Sequence, residues 1–330
     1  MNSIKIAVIG ITNSGVNIAK KIQSSMNVDL YFPHMYKGQI HAHFFDNIKT
    51  ILNTIIKKYD CIVFIMAAGA TIRLINPYIK NKFIDPRIVV IDDASKFTIS
   101  LLSGHRGAND IAINISKILG NQPVITTASD SNNIISPEYI AYHYNMKIIN
   151  KELLTKTSAE ILKNNGAQII NKTSLKIEEQ NLNEKNTPKI LITFSREKHE
   201  NILCMVPKIL VIGLGYSTSA TYDEMRKSIL YVFNKYHLYT HAIQTIATID
   251  IKRENVDIIR LSQHYNSKLE FFSNEQLNAY SLDRSEMVYK FTGAYSVSNA
   301  AARKASNNGR EIVKKEKFKD ITISVFEYEK

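Results

Sequence analysis

Apolar residues in the first 130 positions follow two alternating spacings. Short runs rich in apolar residues at 4–9, 61–66, 88–91, 97–102 and 124–127 have the length and β-branched content of strands. Between them the apolar positions recur every three or four residues. One such set is Val16, Ile18, Ala19, Ile22 and Met26; a second is Ile48, Ile51, Leu52, Ile55, Ile56 and Tyr59. A third spans 71–79, and a fourth is Ala108, Ile111, Ala112, Ile115, Ile118 and Leu119. Each reads as a helix with one buried face, and Gly120 stands where a C-terminal cap belongs. Strands alternating with helices predict an α/β fold, a mostly parallel sheet with helices on both faces. Such sheets take ligands at the carboxyl ends of their strands, where the strand-to-helix loops gather.

The pattern changes at 171–189, NKTSLKIEEQNLNEKNTPK, which is polar, charged and nearly without core positions. That composition predicts a surface excursion or a flexible insertion. Strand-like runs follow at 190–194 and 202–206, then Pro207-Lys208, and Ile209-Leu210-Val211-Ile212-Gly213 opens a second alternation. It continues as a strand at 209–212, a helix at 222–236, a strand at 243–249, a helix at 256–265 and a strand at 269–272. Ser273 with Gln276 three residues on is a capping-box pair. A helix at 298–307 closes toward Gly309, and the last strand is 321–328. The expected boundary is near Pro207. It gives an N-terminal α/β domain over 1–206, with 131–206 as its middle segment, and a second, smaller α/β domain over 207–330. No internal repeat is found.

Composition bounds what such a chain does. At 330 residues two domains are the default, and 45% hydrophobic with 22% charged residues fills a core. Lys and Arg number 42 against 30 Asp and Glu, a net charge of +12 that suits an anionic partner. The lysines are scattered, so compositional bias is an equal reading. Tyrosine is plentiful and tryptophan absent, with no nucleic-acid-binding motif. Cys61 and Cys204 lie in apolar runs and form no CxxC pair, which predicts buried reduced thiols. The N-terminus MNSIKIAVIG lacks a signal peptide's apolar core, and the longest apolar run, 61–70, is too short to span a membrane. A cytoplasmic protein with no membrane and no nucleic-acid partner is the expectation.

Three loops carry candidate chemistry. The first, Ser103-Gly104-His105-Arg106-Gly107, joins a strand to a helix, where free N–H groups and the positive dipole end make an anion site. His105 there is a general base or donor, or else it holds a backbone group of a tight turn; Arg106 holds a carboxylate. In the second, Met66-Ala67-Ala68-Gly69-Ala70-Thr71-Ile72-Arg73, small residues admit a flat ligand and Arg73 pairs with an acid or stays an exposed helix residue. The third, Gly213-Leu214-Gly215-Tyr216-Ser217-Thr218-Ser219, lacks the last glycine of a dinucleotide fingerprint, and Gly10 to Gly15 lacks a P-loop lysine. Asp130, after Thr126-Thr127-Ala128-Ser129, is expected on the rim of His105, as an orienting acid or an N-cap. Asp92-Asp93 is placed on that rim too. His41 and His43 have no carboxylate or thiol at ligand spacing, so no metal site is expected.

The run from Met66 to Asp130, above all SGHRGAND and ITTASD, resembles the signature region of the CbiG family of cobalamin biosynthesis, the cobalt-precorrin-5A hydrolases. VIGLG, IATIDIK, FFSNEQL, and the GAYSVSNAAA to ITISVFEYE ending are similar to its C-terminal domain. The resemblance covers nearly the whole chain, with the signature region at 61–130 and the polar middle stretch poorest. It implies a hydrolase that opens the δ-lactone of a cobalt-bearing ring-contracting tetrapyrrole and releases acetaldehyde. Cobalt arrives inside the substrate, so no separate cofactor is implied. The partner is an anionic tetrapyrrole fringed with carboxylates; a neighbouring methyltransferase of the pathway and a homodimer are further candidates.

On this reading His105 is base or acid and Asp130 its orienter or an alternative base. The N–H groups of Gly107 and Ala108 are oxyanion donors, and Arg73 and Arg106 grip peripheral carboxylates. Gly69, Ser103, Gly104, Gly107, Thr127, Gly213 and Gly215 complete the substrate-binding set, and the SGH turn with its neighbouring loops is expected to form a shared cationic pocket. Two departures stand out. The family turn usually reads SGHxGGAN, one glycine more than here, and Tyr216 to Ser219 replace a Cys, two Arg and a Gly. The alternatives are a non-catalytic tetrapyrrole-binding or scaffolding protein of the same pathway and, by fold analogy alone, a nucleotide-dependent oxidoreductase.

Overall fold

The apolar runs of the first half pair into one seven-stranded sheet in the order β3-β2-β1-β4-β5-β6-β7. Its strands are β1 (Ile6–Gly10), β2 (Asp29–Pro33), β3 (His43–Phe45), β4 (Cys61–Ile65), β5 (Arg87–Ile91), β6 (Phe97–Leu102) and β7 (Gln122–Val124). The computed structural model describes residues 4–81, 84–126, 136–177, 188–197, 200–282 and 284–329. Two compact units divide the chain, Met1–His143 and Tyr144–Lys330. In the first, helices α1 (Asn13–Gln23) and α4 (Ala108–Leu119) cover one sheet face, and α2 (Ile48–Lys58) and α3 (Ala68–Ile75) the other. Every residue of β1 and β4 is buried, as the unbroken apolar runs require of strands covered on both sides. A short helix, α5 (Pro137–His143), ends the unit. β2 and β3, unforeseen from the pattern, add the outer edge.

One pairing decides where the site lies. β1 to β5 are parallel to their neighbours, but β6 runs antiparallel to β5, with Ile88 opposite Leu102 and Ile91 opposite Thr98. Only residues 92–96 join them, far fewer than the dozen or so that a parallel crossover needs. β7 then follows β6 in parallel. The carboxyl end of β6 therefore stands beside the amino end of β5. The turn that follows β6 lies on the rim opposite the loops that leave β1, β4 and β5. This corrects the expectation of a shared rim and pocket: Gly69 and Asp92-Asp93 belong to one rim, His105 to the other.

The second unit holds two sheets. β8 (Met146–Ile148), β9 (Gln168–Asn171), β10 (Lys189–Ile192) and β11 (Leu203–Pro207) order as β8-β11-β10-β9, beside helix α6 (Leu154–Lys163) in sequence. β12 (Leu210–Tyr216), β13 (Ile243–Ile249), β14 (Lys268–Phe272), β15 (Glu311–Lys317) and β16 (Ile321–Glu327) order as β14-β13-β12-β16-β15. Helices α7 (Tyr222–Lys235) and α8 (Val256–His264) pack on one face of the five-stranded sheet; α9 (Asn274–Asn278), α10 (Glu286–Thr292) and α11 (Ser298–Ala305) belong to the other.

The compact units divide at 143/144, and the boundary expected near Pro207 falls between the two sheets of the second unit. Leu191, Phe194, Cys204 and Val206 share one core with Leu210, Ile212 and Leu214, so Pro207-Lys208 is a tight link within a core. The second unit is consequently the longer of the two. Both cysteines are buried thiols. Among the described residues no helix is long and apolar enough to cross a membrane.

Candidate functional site

The turn after β6 is a single helical turn of 3-10 type, Gly104–Arg106, held between two left-handed residues. Ser103 has φ 61° and Gly107 φ 99°. A serine in that region carries strain of about 1–2 kcal/mol, and its hydroxyl donates to the carbonyl of Asp85 at 3.2 Å. Gly107 is required twice over. Beyond its φ, a Cβ there would meet Cε1 of Tyr142 at 2.5 Å. Tyr142 lies on α5, which packs on the turn.

His105 is half-buried, with Nδ1 3.1 Å from the hydroxyl of Ser136. That hydroxyl also accepts the N–H of Tyr139 at 3.1 Å, so the start of α5 orients the imidazole. General-base chemistry uses the tautomer in which Nδ1–H donates to Ser136 and Nε2 keeps its lone pair. Arg106 donates from Nη1 to the Asp85 carbonyl at 2.8 Å. Burial, and next the guanidinium of Arg87, push its pKa below the usual arginine value. Arg87, missed in the sequence, opens β5 and donates from Nε to the carbonyl of Arg106 and from Nη1 to that of Asp60 at 3.1 Å. Its guanidinium lies 4.7 Å above the ring of Tyr142. A cation at the mouth of an apolar strand, in DPRIVVI, was the available signal. Only the β5–β6 register shows that it meets the turn.

The oxyanion assignment needs correction. The N–H groups of Gly107 and Ala108 already donate inside the turn, to Gly104 at 3.0 Å and Ser103 at 3.3 Å. Thr127 and Asp130 lie outside the described residues.

The other expected residues stand elsewhere. Gly69 is in the first turn of α3, after the carboxyl end of β4, and Arg73 reaches back along the helix to the Gly69 carbonyl at 3.4 Å. Neither is brought to the SGH turn. On that opposite rim Asp93 accepts from Ser14 and Thr12 at the start of α1, which holds its carboxyl below the usual range. Asp92 accepts the N–H of Phe97 at 2.5 Å. His43 stacks on Tyr31 with ring centroids 4.9 Å apart.

Gly213 and Gly215 are not loop residues, which corrects their placement. β12 runs through to Tyr216: a Cβ at Gly213 would collide with the Ser298 carbonyl of α11, and one at Gly215 with Thr322 Oγ1 on the neighbouring β16. Gly213 allows a helix to lie directly on the strand. The loop beyond them leads into α7, whose N-terminus is closed by a capping box of Thr221 and Glu224. A carboxylate from the chain itself fills the position an anionic ligand would take.

Residues 50–130 match the family model described as "Cobalamin synthesis G N-terminal", and residues 210–326 match "Cobalamin synthesis G C-terminus". The chain is 28% identical to the cobalt-precorrin-5A hydrolase of Priestia megaterium over 97% of its own length and 94% of that protein. It is 31% identical to the cobalt-precorrin-5A hydrolase of Salmonella typhimurium over 49% of this chain and 47% of that one. A probable cobalt-precorrin-5A hydrolase of Methanocaldococcus jannaschii is 23% identical across 97% and 98% of the two chains. The SGH turn and Arg87 fall inside the first matched segment.

Proposed function

Since the chain belongs to the cobalamin synthesis G family, we propose that it is a cobalt-precorrin-5A hydrolase that opens the δ-lactone of its substrate with water. The observation that carries this reading is similarity to a hydrolase of that name along both units, over 97% of the chain. The site supports it chemically. A half-buried imidazole oriented by Ser136 lies in the same turn as Arg106, and Arg87 donates to that turn, cationic groups of the kind a many-acid ring requires.

Lactone opening adds water across an ester. The water oxygen bonds to the carbonyl carbon, and His105 Nε2 takes the proton. The carbonyl–oxygen bond to the ring then breaks, and the imidazolium returns its proton to the departing alkoxide. A carboxylate and a hydroxyl result. The new hydroxyl stands on the extruded meso carbon. As it loses its proton and becomes a carbonyl, the bond from that carbon to the ring breaks and its electron pair stays with the ring. The carbon leaves with its methyl as acetaldehyde. Cobalt belongs to the substrate and needs no ligand from the protein.

The test is incubation with the cobalt lactone, scoring the ring-opened product by mass spectrometry and acetaldehyde by trapping. Product with acetaldehyde sustains the hydrolase. Stoichiometric binding of the tetrapyrrole without either product replaces it by a carrier.

A further inference from the structure

We propose that Arg87 and Arg106 form a paired guanidinium site that takes one peripheral carboxylate of the ligand, with Tyr142 as its wall. The two side chains reach the site from elements 19 residues apart in sequence. Each is fastened by its own backbone anchor: Arg106 to the Asp85 carbonyl, Arg87 to the carbonyls of Asp60 and Arg106. Tyr142 lies under Arg87 and against Gly107, so the fork is braced on three sides.

All of these anchors are neutral carbonyls. Among the described residues no carboxylate forms an ion pair with either guanidinium. Asp85 is an acid whose charge acts on Arg106, but its Oδ1 accepts the N–H of Lys80 at 2.8 Å and its side chain is buried. Two half-buried like charges side by side repel, and bonds to carbonyls do not cancel that repulsion. A guanidinium has five donors in a planar fork that matches a carboxylate. Arg106 uses one donor and Arg87 two, so free edges remain on both. An incoming carboxylate would receive charge-assisted bonds and neutralise the pair at once.

The identity of the acid, an acetate or propionate arm of the tetrapyrrole, rests on the hydrolase reading; the anion site itself does not. Beside His105 this fork would set where the ring docks relative to the base.

Steady-state kinetics of Arg106→Gln on the cobalt lactone tests it, with the fold checked by circular dichroism. KM should rise about tenfold or more while kcat stays within about threefold, the signature of lost uniform binding. Arg106→Lys should recover part of the loss, and KM of the wild type should climb with salt more steeply than that of Arg106→Gln. An unchanged KM in folded Arg106→Gln overturns the fork and leaves the hydrolase standing. Should the wild type open no lactone, the hydrolase reading fails, and the fork is judged with tricarballylate. A melting temperature raised by millimolar tricarballylate above a sodium chloride control of equal ionic strength, and unraised in Arg106→Gln, sustains it. No such rise in the wild type overturns it.

Discussion

Gly107 and His105 sit two residues apart and show how different demands settle in one turn. Gly107 is conformational: its φ of 99° and the Tyr142 ring leave no room for a side chain. Gly107→Ala should destabilise the protein by about 2–4 kcal/mol in urea unfolding, from left-handed strain plus overpacking. Made in a Tyr142→Ala background, the same change should lose its steric part and cost about 1 kcal/mol of backbone strain. His105 is chemical. His105→Ala should slow lactone opening about a hundredfold or more with little change in melting temperature, since general-base catalysis contributes at least that much. A rate within threefold of wild type would remove His105 from the mechanism. The glycines flanking a His and an Arg were visible in the sequence because the signal is local. Arg87 was not, because nothing within ten residues of it says which turn it touches.

Elements were legible where their apolar period was long. β13 is observed over the expected span, α7 and α8 end one residue early, and the capping box at Ser273 and Gln276 forms as its spacing implied. Short edge strands such as β2 and β3 have too few residues to show a period. β12 runs past the expected end because Gly213 faces a helix, where sequence patterning assigns such a glycine to a loop. Gly213→Ala should therefore displace α11 and cost about 1–3 kcal/mol in urea unfolding, whereas a loop glycine would tolerate the change. At the start of α1, hydrogen bonds from Ser14 and Thr12 depress the Asp93 pKa in the folded state. Stability from that group is present above the ordinary carboxylate pKa and is lost as pH falls through the lowered one. Asp93→Asn should make the melting-temperature profile shallower as pH falls below the ordinary carboxylate pKa.

At the scale of the molecule, the partition at 143/144 has a direct consequence. A fragment of residues 144–330 should unfold cooperatively, as both sheets of its core are present. One of residues 207–330 loses Leu191, Phe194, Cys204 and Val206 from that core and should show no cooperative transition by circular dichroism. Equal cooperativity in the two would favour the boundary at Pro207. The α/β class and the helices and strands of long period were set by the sequence, because each depends on residues within a turn or a pleat of one another. So was the chemical character of the SGH turn. Which rim that turn occupies, which arginine joins it and where one core ends were decided only in three dimensions. Strand direction and side-chain pairing are properties of contacts between distant segments, and a reversal as short as residues 92–96 moves a site from one rim of a sheet to the other.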